Sequence, residues 1–129
     1  MKQQRNTKQR QLVLDAVRAR CDHPSADQIY LDVRGIDNRI SRGTVYRNLN
    51  VLVRQGEILH VKLLHTDRFE SRLDTHYHLL CAECGAVIDV PLPYQGELDE
   101  QAAKETGYTI ERHRMVFEGL CPDCRQKKL

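Results

Sequence analysis

SRGTVYRNLNVLVRQG, residues 41–56, holds a helix start, an apolar stripe and a helix stop in one run. Ser41 is a capping residue type, Val45, Leu49 and Leu52 recur at helical spacing, and Gly56 stands just past the end. Off that stripe lie Arg42, Thr44, Tyr46, Arg47 and Asn48, whose guanidinium, hydroxyl and amide groups suit phosphates and base edges. Tyr46 and Thr44 are expected at base edges or thymine methyls. Arg42, Arg47 and Asn48 are expected to divide between bases and phosphates.

Outward from this helix the neighbours are equally short. On the N-terminal side, Ser25 and Gln28 form a capping box opening ADQIYLDV, which stops at Gly35. Before it, Thr7 is placed to cap a helix carrying Leu12, Val13, Ala16 and Val17 and ending near Cys21. In that first helix Arg10 is read as a phosphate anchor. On the C-terminal side, EILHVKLL and RFESRLD read as strands joined by HTD. Three helices followed by a β-hairpin is the winged helix-turn-helix layout, in which the third helix enters the DNA major groove.

The chain changes character near Asp74 and Thr75. A strand pair turned at CAECGA, a PLPYQG loop, a helix over ELDEQAAKET closed by Gly107, and further strand over 108–118 are expected, with a frayed RQKK tail. The predicted fold is α+β: a winged-helix DNA-binding domain over 1–73, a hinge at 74–75, and a small α/β domain over 76–129.

Charge follows the same division. Residues 1–64 hold twelve Lys/Arg against six Asp/Glu, whereas residues 65–129 hold eight against twelve. The front half is built to meet a polyanion and the back half is not. The polar start MKQQRNTKQRQ lacks the apolar core of a signal peptide and no long apolar run follows, so a cytoplasmic protein without a membrane partner is expected.

Four of the five cysteines fall in CxxC pairs, Cys81/Cys84 and Cys121/Cys124. Two such knuckles brought together form a closed four-sulfur tetrahedron, the usual structural zinc site, with no position open for substrate. A redox CxxC is disfavoured by the presence of two pairs and the lack of a βαβ context. Cys21 stands alone and reads as a small half-buried hydrophobe.

The first knuckle belongs to HYHLLCAEC, residues 76–84, which alternates as a strand does. His76 and His78 share one face while Tyr77, Leu79 and Cys81 share the other, so the histidines and cysteines serve separate sites. Imidazoles combined with carboxylates form a mixed N/O site that suits iron(II), manganese(II) or zinc. A zinc enzyme is disfavoured: HExxH is absent, and the proline of CPDC lies inside the knuckle and not before it.

HPSADQIY, ISRGTVYRNLNVL, SRLD, HYHLLCAECGAVIDV, TGYTIERHRM and GLCPDC together resemble the Fur family of metal-dependent repressors, most of all its peroxide-responsive, PerR-type branch. The resemblance covers essentially the whole chain. It implies a homodimeric repressor of operator DNA with a winged-helix domain, a hinge and a dimerisation domain stapled by zinc. It further implies a regulatory iron(II) or manganese(II) held by His23, Asp74, His76, His78 and Asp89. In the peroxide branch, bound iron(II) and hydrogen peroxide oxidise a ligand histidine, here His23 or His76; peroxide is the signal and there is no other small-molecule substrate.

The chain departs from the family in two ways. Iron-uptake regulators tend to carry Glu where Asp74 and Asp89 stand, and they place an acidic residue of a third metal site where Tyr77 stands, which leaves His113 with a different role. In addition, only Thr75 separates Asp74 from His76, where the family usually has several more residues. The alternatives are an iron- or zinc-responsive uptake regulator, or a zinc-stabilised DNA-binding module without sensing chemistry.

Overall fold

A computed structural model of the chain describes residues 2–127, in two compact units, Met1–Leu73 and Asp74–Leu129. The first contains α1 (Lys2–Arg18), α2 (Ala26–Arg34) and α3 (Arg42–Arg54), followed by β1 (Leu59–Lys62) and β2 (Asp67–Glu70), which pair antiparallel as a hairpin. This is the expected winged-helix layout.

Both expected caps form. The Ser25 hydroxyl accepts from the Gln28 N–H while the Gln28 side chain accepts from the Ser25 N–H, and the Ser41 hydroxyl accepts from the Thr44 N–H. Gly56 has φ 75°, the left-handed geometry that ends α3 without a Cβ clash. Helix α1, however, starts well before Thr7. Lys, Gln and Arg are good helix formers, so the polar residues ahead of the apolar stripe extend the helix and Thr7 lies inside it.

The core of this unit joins Val13, Leu14, Ala16 and Val17 of α1 to Ile29 and Val33 of α2. Val45, Leu49 and Leu52 of α3 complete it, with Ile40, Ile58 and Phe69. Each Val, Leu, Ile or Phe among them contributes about 1.5–3 kcal/mol when fully buried. The stripe read from residues 41–56 is therefore the inner face of α3.

The second unit is built differently. Strand β3 (Tyr77–Cys81) is central, paired antiparallel with β4 (Val87–Val90) and parallel with β5 (Val116–Gly119). Helix α4 (Gly96–Thr106) precedes β5 and ends at Gly107 with φ 76°. Helix α5 (Pro122–Lys127) follows the strand. The strand expected over 108–118 is confined to β5, since only there does β3 offer a free edge to pair with. The RQKK tail is helical through Lys127, because Pro122 suits a first helical position and the turn of the second knuckle continues as α5; Lys128 lies outside the described residues.

Among the described residues of this unit, only Tyr77, Cys81 and Val87 are buried apolar side chains, and α4 has no buried residue. A unit of this size with so thin a core calls for a cross-link, a partner chain, or both. No helix among the described residues is long and apolar enough to cross a membrane.

Candidate functional site

The cross-link is available. The Sγ atoms of Cys81, Cys84, Cys121 and Cys124 lie within 4.8 Å of one another, with Cys84 and Cys121 3.9 Å apart. A tetrahedron with metal–sulfur bonds of about 2.3 Å has sulfurs about 3.8 Å apart, so the four thiols fit zinc. The first knuckle is the turn between β3 and β4, closed by Gly85 N–H to Cys81 O, and the second opens α5 with Arg125 N–H to Cys121 O.

Charge supports the same reading. N–H groups of Cys84 and Cys121 point at Cys81 Sγ and lower its pKa to about 6. The Cys121 side chain pushes the Cys124 thiol up to about 12. Crowded thiols therefore cannot all ionise alone, and a divalent cation removes the conflict.

A second set of ligand types lies on the other face of β3. His76 and His78 are both buried, with ring centroids 4.5 Å apart. Asp89 on β4 is the register partner of His78. One oxygen, Asp89 Oδ1, lies 3.1 Å from His76 Nε2 and 3.6 Å from His78 Nε2. His76 Nδ1 is 2.6 Å from the backbone carbonyl of Asp74. With Nδ1–H donated to that carbonyl, Nε2 presents its lone pair toward a carboxylate, an arrangement that a cation resolves and that is typical of metal-binding imidazoles.

In the first unit His23 and Glu70 are the corresponding pair. His23 Nε2 is 2.9 Å from Glu70 Oε2, and both side chains are about 5 % exposed. Two bonds fix the loop carrying His23 to β2: Arg68 Nη1 donates to His23 O at 3.0 Å, and Phe69 N–H to Pro24 O at 2.9 Å.

The carboxylate beside His23 is thus Glu70, which sequence reasoning passed over in favour of Asp74. Asp74 lies at the surface of the second unit and contributes its backbone carbonyl to His76. A signal for Glu70 existed, since five residues separate it from His76. That restores the longer spacing that Asp74 lacks.

Tyr77 points to the opposite face, as alternation predicts. Its hydroxyl meets His113 Nε2 at 2.7 Å and accepts from the Gln95 N–H at 2.8 Å. His113 Nδ1 is 2.7 Å from Asp99 Oδ1, and its ring stacks on Tyr94, whose hydroxyl also donates to Asp99. These donors, Tyr94 first and then His113, hold the Asp99 carboxyl below its ordinary pKa. His113 belongs to this network, which ties α4 to β3.

On α3, Arg42, Tyr46 and Arg47 are exposed and Thr44 is half-buried. Asn48 is buried: its amide donates to Thr44 O at 2.9 Å and its Oδ1 accepts from Arg10 Nε at 3.2 Å. Asn48 therefore orients Arg10 within the unit.

Comparison with known proteins gives consistent results. The family described as Ferric uptake regulator family matches residues 1–118. The peroxide-responsive repressor PerR of Staphylococcus saprophyticus is 35% identical over 124 residues, 95% of this chain and 84% of that protein. The peroxide operon regulator of Bacillus subtilis is 35% identical over 127 residues, covering 96% and 86% respectively. Among solved structures, the Helicobacter pylori ferric uptake regulator Fur superimposes with a TM-score of 0.79 at 26% identity, over 92% of this chain and 80% of that one. The Campylobacter jejuni peroxide stress regulator gives 0.74 at 26% identity, over 93% and 91%. Family match, fold and paired ligand sets agree, and the chain belongs to the ferric uptake regulator family.

Proposed function

We propose that this chain is a metal-dependent transcriptional repressor. It acts in the cytoplasm as a homodimer on operator DNA, and hydrogen peroxide is its signal. It is a regulator and not an enzyme. The observation that carries this reading is the pair of buried imidazoles, His76 and His78, converging on one oxygen of Asp89.

Three ligands from the second unit leave a regulatory metal incomplete. His23 and Glu70 of the first unit are the residue types that complete it. A metal drawing ligands from both units restricts how the heads of a dimer are spaced, and DNA presents half-sites at a fixed helical repeat. Metal occupancy and DNA binding are then reciprocally coupled, typically by about 1–3 kcal/mol. When bound as iron(II), the metal supplies the redox chemistry by which peroxide oxidises a ligand histidine. His23 and His76 are the proposed targets, and an oxidised imidazole holds metal poorly. Manganese(II) in the same place supports repression without sensing.

Asp89, Tyr77 and the relatives that are peroxide-responsive repressors favour this branch. Glu70 favours a second reading, an iron-responsive uptake regulator, since Glu is the residue that branch tends to carry.

The test is DNA binding by zinc-loaded protein with and without manganese(II), using a duplex selected from a randomised pool. Manganese is expected to tighten binding by about 5–150-fold, the range set by that coupling. Equal affinity in both states would leave only the zinc-stabilised DNA-binding module.

A further inference from the structure

Helix α3 contains no acidic residue, yet a carboxylate is bonded to its exposed face. Asp27, in the first turn of α2, accepts two hydrogen bonds on a single oxygen. Tyr46 Oη donates at 2.6 Å and Arg42 Nη1 at 2.5 Å. The Arg42 guanidinium also lies over the ring of Tyr30, 4.6 Å from its centroid. The α2 residues Asp27 and Tyr30 thus fix two α3 side chains proposed to touch DNA. Asp27, Arg42 and Tyr46 are all exposed, so this cluster lies at the surface and not in the core.

A carboxylate on a face meant for phosphates weakens binding to every duplex, through repulsion and through neutralising Arg42. Its compensating effect is on geometry. With its proton directed at Asp27, the Tyr46 hydroxyl presents only lone pairs outward. The second oxygen of Asp27 is likewise an acceptor. Such a pair matches the exocyclic amines of adenine or cytosine in the major groove and opposes the carbonyl oxygens of thymine and guanine.

Resting on the proposed DNA-binding function, we infer that Asp27 is a specificity-determining residue: it lowers affinity for DNA in general and holds Tyr46 and Arg42 in the one arrangement that reads the operator. Discrimination here comes in part from a repulsive group, as specificity often does. The phenol of Tyr46 is held above its ordinary pKa by the Asp27 hydrogen bond, which keeps it the donor.

The experiment uses the full chain loaded with zinc and manganese(II), a duplex selected by the wild type from a randomised pool, and a scrambled duplex of equal length. Asp27→Asn is expected to bind the scrambled duplex more tightly. Its log–log salt slope should steepen by about 0.9 as Arg42 is released to a phosphate. The ratio of selected to scrambled affinity should fall by about tenfold, the scale of one good base contact. Tyr46→Phe should lower that ratio with the slope unchanged, and Asp27→Glu should keep the wild-type slope.

If Asp27→Asn keeps both ratio and slope while the wild type is selective, the role of Asp27 is overturned and DNA binding stands. Should Asp27→Asn fail to fold, as judged by circular dichroism, an unchanged ratio in Tyr46→Phe overturns the role equally. A wild type that selects no duplex overturns the DNA-binding function itself.

Discussion

Two carboxylates, Glu70 and Asp74, are candidates to accompany His23. Glu70 is buried at the end of β2 with its oxygen 2.9 Å from the imidazole, whereas Asp74 is exposed beyond the strand. Glu70→Gln should therefore weaken manganese(II) binding by about 10-fold or more, and Asp74→Asn should leave it nearly unchanged because His76 uses the Asp74 backbone carbonyl. Titration calorimetry on the zinc-loaded chain measures both; the reverse order would return the ligand role to Asp74. His76, His78 and Tyr77 were legible in the sequence because strand alternation alone assigns their faces. Glu70 was harder to single out, because RFESRLD reads as one unbroken strand with two acidic residues, and only the end of β2 at Glu70 separates them. Asn48, three residues beyond Val45, lies at the margin of the buried stripe, which alternation of charged and apolar residues along α3 does not reveal.

Elements were legible where the pattern is local. Capping residues, apolar stripes and Gly56 placed the ends of α2 and α3, and the hairpin followed from two short strands around HTD. The parallel pairing of β3 with β5 has no local signature, since α4 intervenes and register is set by contacts distant in sequence. The second knuckle fixes that pairing: Ala82 N–H bonds Gly119 O at 2.8 Å, and Cys121 N–H points at Cys81 Sγ at 3.4 Å. Cys121→Ser should consequently release zinc, expose the β5 amides to hydrogen exchange and dissociate the dimer together, because a closed thiolate site and folding are linked. Zinc content, exchange mass spectrometry and size-exclusion chromatography follow the three events. A zinc-free Cys121→Ser dimer that retains β5 protection would show that the thin core suffices by itself.

For the whole molecule, the two halves differ in charge, in core and in ligands. The first is basic and held by a dozen apolar side chains, and the second is acidic and held around four thiols. That division suits the proposed function, in which one part meets DNA and the other supplies dimer contacts and most of the regulatory ligands. If peroxide acts on a histidine of the proposed regulatory site, mass spectrometry of the peroxide-treated chain will find the product there. Oxidation requires iron(II), whereas zinc has no accessible redox state. Protein holding structural zinc and iron(II) should gain one oxygen atom, about 16 mass units, on the peptide containing His23 or His76, and should lose affinity for its duplex. The same protein with manganese(II) or zinc in place of iron should do neither, and His113, which is bonded to Tyr77 and Asp99, should stay unmodified. Peroxide that releases the DNA by oxidising Cys81, Cys84, Cys121 or Cys124, with both histidines intact, would rule out histidine sensing and make the protein a thiol switch.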